Sequence, residues 1–402
     1  MSEAEALEEF RTSVQEWLKD NVPASLQGMS MNGEGAMPGG EDFDAWRDAL
    51  AEKGWGAPTW PVEYGGAGLT HPQAKVISQE IARAGVFNPI PALALMGVTM
   101  VGPTILEYGT DEQKAKHLPG IASGKVSWCL GLSEPGAGSD LASLSTKAVE
   151  EGDEFVINGQ KVWTSGAHYA NWCGALVRTD PNVAKRNGIS FVMFTMDQPG
   201  VSTKPIQLIS GSSPFCETFF DDAKADKGDL LGDLNDGWSV VKRLLQHERQ
   251  SQTGAPSGGG SGNAPKIQDM AKEYVGTNAD GSLADADLRG RLTRLLMDEQ
   301  AHKLTVGRIV AEAKGEVKVS AAASILKNSM TNVAQTKAEL TMEFMGSQGI
   351  GWEGDFFTKE ELGNVQSWLS GKAMSIYGGS FEVQNNIISK NILGLPETTQ
   401  KG

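Results

Sequence analysis

Leu7, Phe10, Val14, Trp17 and Leu18 recur at intervals of three and four, as do Phe43, Trp46 and Leu50. This period predicts two amphipathic helices, separated by a Gly- and Met-rich loop over 28–40. Another helix is predicted from about Pro72, and Thr110-Asp111 supplies N-cap chemistry for a short one ending near Gly120. At Val126 the period shortens to two. Asn158-Gly159 stands between Glu-Phe-Val-Ile and Gln-Lys-Val-Trp, which predicts a hairpin turn there. Further strands are expected over 188–196 and 216–220, so that 126–235 reads as mostly strand. From Gly237 the helical spacing returns in Trp238, Val241, Leu244 and Leu245, then in Leu288, Leu292, Leu295 and Leu296, and again over 321–344. Residues 254–265, with five glycines and two prolines, interrupt it. The chain is therefore expected to be α+β in three parts: helical over 1–125, β over 126–235 and helical over 236–402.

Composition narrows the function classes. The net charge of −15 repels phosphate backbones and anionic lipid surfaces, which argues against nucleic acid or a membrane as partner. An apolar fraction of 40% with ten tryptophans indicates packed cores rather than an acidic disordered chain. Cys129, Cys173 and Cys216 stand 44 and 43 residues apart, a spacing that suits neither metal-binding pairs nor a disulfide framework. A reducing, cytoplasmic setting is expected, and the four glutamates among the first nine residues do not resemble a secretory signal. The uncharged run 84–106 is long enough to raise a membrane question. Its three prolines and three glycines make it a buried, broken helix instead. His71, His117, His168, His247 and His302 are dispersed without ligand spacing, so neither a metal centre nor a hydrolase is indicated. His247 points away from the apolar stripe of its helix and is expected at the surface.

The stretch Leu132-Ser133-Glu134-Pro135-Gly136-Ala137-Gly138-Ser139-Asp140 joins a turn-forming core to hydroxyls at each end, so its backbone can approach a ligand closely. On residue types alone, a plain turn between strands is the commoner origin of such a stretch. Three segments decide otherwise when taken in order. This stretch, Lys161-Val162-Trp163-Thr164-Ser165-Gly166, and the tail from Tyr377-Gly378-Gly379-Ser380-Phe381-Glu382 to Leu393-Gly394-Leu395-Pro396 together resemble the acyl-CoA dehydrogenase family. The resemblance spans essentially the whole chain. It implies that family's fold: an N-terminal α-helical domain, a middle β-barrel or sandwich domain and a C-terminal four-helix bundle.

The resemblance further implies FAD as cofactor and an acyl-CoA thioester as substrate. It puts Leu132 and Ser133 at the flavin pyrimidine edge, Trp163 and Ser165 beside the isoalloxazine, and Ser380 and Glu382 near the adenosine half. Ser139 would face the pantetheine or phosphate region of the substrate. Read without the family, Trp163 is an ordinary core aromatic. Glu343 and Gly346 resemble, more loosely, the segment that reaches FAD across a subunit interface. The family's Arg-x-Phe-Gly contact has no counterpart over 274–288, where Asn278-Ala279-Asp280-Gly281-Ser282 reads as a loop.

Dehydrogenation of a thioester needs a carboxylate to take the α-proton while the β-hydride goes to flavin N5 and the carbonyl oxygen is held by hydrogen bonds. Many family members carry that glutamate where this chain has Gly378, whose backbone N–H can still serve the oxygen. Counting from Trp238, the positions Val241, Leu245 and Glu248 follow at three, four and three, which sets Glu248 on an apolar stripe. A helix-end glutamate neutralised by Lys242 or Arg249 would show the same spacing. Glu248-Arg249 resembles the Glu-Arg pair that houses the base in the isovaleryl and long-chain branches, with Arg249 on the substrate side.

The implied activity is formation of a trans-2-enoyl-CoA, with electrons passed to an electron-transferring flavoprotein. The implied assembly is a homodimer or homotetramer, or a heterotetramer with a related subunit, as in members from bacterial steroid and bulky-acid breakdown. Two alternatives stay open: a flavin oxidase or nitroalkane-type enzyme on the same fold, and a non-catalytic partner subunit of a heteromer.

Overall fold

The computed structural model describes residues 2–28, 39–254, 266–313 and 325–396, with the side chains of 3, 249–254, 310 and 313 outside that description. The chain forms two compact units. The first comprises Met1–Gln207 with Ser213–Gly262, and the second Leu208–Ser212 with Asn263–Gly402.

The first unit begins with α1 (Glu3–Asn21), α2 (Glu41–Glu52), α3 (His71–Arg83), α4 (Ile90–Leu93), α5 (Gly102–Tyr108) and α6 (Asp111–Ala122). Ser2, Thr70 and Thr110 each close a capping box with the Glu or Gln three residues on, which fixes the starts of α1, α3 and α6. The periodic positions Val14, Leu18, Phe43, Trp46 and Leu50 are buried together with Ile77 and Ile81. Trp17, half-buried, stacks on Trp46 at 5.8 Å. The uncharged run is broken as its prolines and glycines require. It comprises α4, one π-helical turn over Gly97–Val101 and α5, with Ile90, Val101 and Ile105 fully buried. Gly102 must be glycine, since a Cβ there would lie 2.0 Å from the Trp60 ring.

The strands of this unit are β1 (Trp128–Gly131), β2 (Lys147–Glu151), β3 (Glu154–Ser165), β4 (Trp172–Arg178), β5 (Ile189–Thr195), β6 (Val201–Ile206), β7 (Phe215–Asp226) and β8 (Leu230–Leu231). They form one sheet in the order β6-β7-β3-β2-β4-β5-β8, with β1 parallel to β4. Alternate residues of β4 and β5 serve two cores. Leu176, Phe191 and Met193 pack with Leu118, Ile121, Val240 and Leu244 on the helical side. Cys173, Ala175, Val177, Val192 and Phe194 meet Phe155, Ile157, Phe220 and Ala223 inside the curled sheet. Strands buried on both faces read as continuous apolar runs, as β5 does. The helix α7 (Gly237–Gly254) closes the unit, packing Val240, Val241 and Leu244 against β5, α5 and the π-helical turn.

The hairpin expected at Asn158-Gly159 lies elsewhere. β2 and β3 turn at Gly152, whose φ is 59°, with Glu151 opposite Glu154. Asn158-Gly159 is instead a bulge within β3, where the register to β7 shifts. Its cause is a side-chain pairing across the strands. Asn158 Nδ2 donates to Asp222 Oδ1 at 2.9 Å and Asn158 Oδ1 accepts the Asp222 N–H at 3.0 Å, with Asp222 itself in the left-handed region.

The second unit contains α8 (Ile267–Val275), α9 (Ala286–Ala313), α10 (Leu326–Met345), α11 (Lys359–Gly371) and α12 (Phe381–Ile387). α10 is central, and Leu340 and Phe344 pack with Ile267, Ala271, Leu292 and Leu295. The expected helix over 321–344 is α10, with 321–324 outside the described residues, as are 29–38 and 255–265 of the two expected loops. Asn278 to Ser282 is the expected loop, pinned where the Asn278 N–H donates to the Ser282 carbonyl at 2.8 Å. Among the described residues no helix is long and apolar enough to cross a membrane.

A Cβ at residue 159 would stand 2.7 Å from the Thr146 backbone Cα, which a strand neighbour cannot yield. Gly159→Ala is therefore expected to cost at least about 2 kcal/mol in chemical denaturation, whereas a solvent-facing hairpin turn would lose only about 1.

Candidate active site

The Leu132–Asp140 loop leaves the end of β1 and is organised from beneath by one carboxylate. Glu134 Oε1 accepts from Lys161 Nζ and from the Thr146 N–H, each at 2.9 Å, while Oε2 accepts from the Ser145 N–H at 2.7 Å and its hydroxyl at 2.9 Å. Lys161 is 0% exposed and also donates to the Leu132 carbonyl at 3.1 Å. Burial works against the charged form of Glu134, but the Lys161 ammonium and the Thr146 and Ser145 donors outweigh it and hold the carboxyl down to about 2. Sequence reasoning passed over this pair. Its signal was a Glu and a Lys inside two motifs already singled out for other residues.

The pair fixes where the next residues sit. The Ser133 carbonyl accepts the Val162 N–H at 2.9 Å, locking the loop to β3. Between Lys161 and Thr164 the register to β7 shifts again, and Trp163 adopts φ 62°. This bulge turns the indole outward, so that it is 55% exposed and edge-on to Phe215 at 6.2 Å. Trp163 is thus no core aromatic. Leu132, Ser133 and Ser165 are half-buried around it, while Ser139 is exposed at the far end of the loop. The loop segment carrying Leu132 and Ser133 and the β3 bulge carrying Trp163 and Ser165 are thereby joined into one platform.

Glu248 is half-buried and follows Val241 and Leu244 at seven and four residues on the same α7 face. The side chain of Arg249 lies outside the described residues. His247 is not a surface residue. Its side chain is only 10% exposed and its Nε2 lies 3.4 Å from Glu107 Oε1 on α5. The expectation failed because the stripe was measured from Trp238, whereas the buried face is centred on Val240, Val241 and Leu244. Near the start of α7 a cleft of about 450 Å³ is lined by Arg186, Asn187, Asn235, Trp238 and Lys242 among others, with the Arg186 guanidinium 5.3 Å from the Trp238 ring centroid.

In the second unit, Gly378 and Gly379 have φ of 65° and 90°, a left-handed turn that favours glycine. Ser380 caps α12 by accepting the Val383 N–H, and Glu382 is exposed in its first turn. Glu343 is engaged by both terminal nitrogens of Arg291, and Gly346, with φ 53°, ends α10. Asn328 near the start of α10 bonds Asn385 of α12, so Glu343 lies 15 residues, roughly 20 Å, further along the helix. Within one chain these two groups stay apart.

Comparison with known proteins bears on this arrangement. Models described as the acyl-CoA dehydrogenase N-terminal, middle and C-terminal domains match residues 4–125, 129–223 and 235–393. The acyl-CoA dehydrogenase IpdE1 of Mycobacterium tuberculosis is 36% identical over 398 residues, covering 97% of this chain and 98% of that protein. The Tcur3481-Tcur3483 steroid ACAD is 31% identical with a TM-score of 0.76, each chain covered to 99%. The ChsE4-ChsE5 complex from Mycobacterium tuberculosis is 27% identical with a TM-score of 0.74, over 99% of this chain and 100% of that one.

The ion pair beneath the loop carries a pH signature. Because Glu134 titrates near 2 when folded against its ordinary 4.5, its contribution is complete above about pH 5 and is lost as pH falls toward 2. That loss is expected to be about 3 kcal/mol. Denaturation midpoints across this window should fall in the wild type, and the Glu134→Gln/Lys161→Met double variant should lack that part of the fall.

Proposed function

The chain belongs to the acyl-CoA dehydrogenase family and is an oxidoreductase of that class, and from this premise we propose that it converts an acyl-CoA thioester to the trans-2-enoyl-CoA with Glu248 as the α-proton base. The observation that carries the reading is the platform of Leu132, Ser133, Trp163 and Ser165. A half-exposed indole aimed outward by a bulge, on a strand bonded to a loop that carries Ser133 and with Ser165 two residues on, fits a planar heteroaromatic ring, so these residues suit the flavin of FAD. When bound, FAD supplies the two-electron acceptor for the β-hydrogen. Trp163 and Ser165 would hold the ring from beside it, and Leu132 and Ser133 would hold its pyrimidine edge. Glu248, on the same compact unit as the platform, takes the α-proton into its carboxylate.

The remaining roles follow the same reading. The Gly378 N–H donates to the thioester oxygen. Ser139 and Arg249 hold the CoA portion, and the cations Arg186 and Lys242 at the α7 cleft suit its phosphates. Ser380 and Glu382 serve the adenosine half of FAD. Glu343 and Gly346 serve it from a neighbouring copy, which the 15-residue separation along α10 favours. The electrons leave to an electron-transferring flavoprotein. Domain limits fall at 1–125, 126–235 and 236–402.

Assembly tests the shared cofactor site. Sedimentation of the flavin-loaded protein should give a dimer or tetramer, and a flavin-loaded monomer would refute the cross-subunit role of Glu343 and Gly346. The likeness to the ChsE4-ChsE5 complex supports a heteromeric version as the second reading, in which FAD is retained only on co-expression with a related subunit.

The central test is anaerobic bleaching of the bound flavin by octanoyl-CoA, isovaleryl-CoA and a steroid side-chain CoA thioester. Bleaching by at least one is expected, and reoxidation should be slow in air but fast with an electron-transferring flavoprotein. Fast reoxidation by oxygen would instead indicate an oxidase. In Glu248→Gln, FAD content and melting temperature should hold while bleaching slows by at least about 10² to 10⁴. A wild-type rate in that variant would remove Glu248 from the role. Adding Gly378→Glu to it should recover little, because the left-handed backbone there costs an L-residue about 1–2 kcal/mol.

A further inference from the structure

A charged cluster in the first unit lies outside the roles assigned so far. Glu107, in the last turn of α5, faces α7. Arg243 Nε donates to its Oε2 at 2.5 Å and Arg243 Nη2 to its Oε1 at 2.6 Å, a bidentate fork. One turn further along α7, His247 Nε2 comes within 3.4 Å of the same Oε1. Arg243 Nη1 also donates to Gln246 Oε1 at 3.0 Å. The hydrogen bond from Arg243 holds the Glu107 carboxyl below its ordinary range, against the opposing effect of burial, so it is ionised at neutral pH. Arg243 and His247 are four residues apart, so one carboxylate holds Arg243 by the fork and faces His247 a turn further on, and Glu248 is the next residue.

Apolar packing and a directed fork constrain a helix differently. Val240, Val241 and Leu244 press α7 onto the sheet, but dispersion contacts are non-directional and admit small rotations. A carboxylate stands about 6 Å from the helix axis, so a rotation of about 10° moves it by about 1 Å. Proton abstraction is sensitive at that scale, where misplacement costs up to about a hundredfold. Two parallel hydrogen bonds, with a second contact one turn on, fix rotation and axial register together.

We propose that Glu107 is a positioning residue that sets the rotation of α7 and thereby aims Glu248 at the substrate α-proton. The proposal rests on the reading of Glu248 as the base. It adds a residue from a different helix, in none of the recognised motifs, whose effect is exerted through Arg243 and His247.

The test uses the FAD-loaded enzyme and the fastest thioester of the three named above. Glu107→Gln preserves shape and removes the charge. The flavin reduction rate at saturating thioester should fall roughly tenfold to a hundredfold with KM within about twofold. Backbone amide exchange over 244–248 should accelerate. The charge-swapped Glu107→Arg/Arg243→Glu enzyme should regain a substantial part of the lost rate. A merely structural contact would lower the melting temperature of Glu107→Gln and leave the reduction rate of the folded enzyme alone. That result, with Glu248→Gln inactive, overturns the positioning role and spares the base. A wild-type rate in Glu248→Gln overturns the base reading, and with it the role of aiming a base. If Glu107→Gln fails to retain flavin, Arg243→Lys, which keeps the charge and gives up the fork, is read by the same criteria.

Discussion

The ion pair of Glu134 and Lys161 is the constraint on which the platform depends. Both side chains are shut away from water, and both carboxylate oxygens are committed, to Lys161, Thr146 and Ser145. Removing one partner strands the other as a buried charge, at a cost of about 3–5 kcal/mol, whereas replacing both by apolar groups can be nearly neutral. Net stability is therefore a poor account of why the pair is there. What it does is geometric. It joins the loop after β1, the start of β2 and the middle of β3 at one point, so the Leu132 carbonyl and the Val162–Ser133 bond have fixed positions. The bulge that turns Trp163 outward begins at the residue after next to a side chain that cannot move.

A second carboxylate works in the opposite regime. Glu107 is 38% exposed, and its partners approach from one side only. A pair at such a boundary contributes little to folding. Its directionality survives exposure, however, because the fork geometry of a guanidinium is set by covalent structure rather than by the dielectric. The sealed pair thus defines the rigid floor of the site, and the boundary pair controls the rotation of a helix lying on a greasy surface.

Much of this was legible in the sequence, and the misreadings have physical causes. The helices came from three-and-four spacing and from the N-cap chemistry of Thr110-Asp111, both local signals, and Thr110 does cap α6. The platform residues came through the family motifs, with no reading of exposure. Trp163 would pass for core because its outward aim comes from a positive φ at a bulge, which no neighbour in sequence encodes. Asn158-Gly159 suits a tight turn and a bulge equally, and the choice between them is made by Asp222, 64 residues away. His247 falls on the solvent side only when the stripe is counted from Trp238, and that the buried face is centred on Val240, Val241 and Leu244 is settled by packing against distant elements. The three cysteines illustrate it from the other side. Their wide spacing hid that Cys129 and Cys173 are register partners on β1 and β4 in a common core.

The glycines at 378 and 379 are the reason for proposing a proton acceptor on another element. Two successive left-handed residues form a turn whose N–H groups are presented without flanking Cβ atoms, a geometry for holding an oxygen rather than for carrying a side chain. A glutamate there would have to adopt a conformation that L-residues avoid, so a chain that keeps this turn gives up a carboxylate at that position. α7 could supply one at Glu248, which follows Val241 and Leu244 at seven and four residues and is only partly buried, so that a charge is still tolerated. With the base proposed on α7, its aim would depend on how the helix is rotated, and among the polar contacts described on that helix the fork from Arg243 to Glu107 is the one placed to set it.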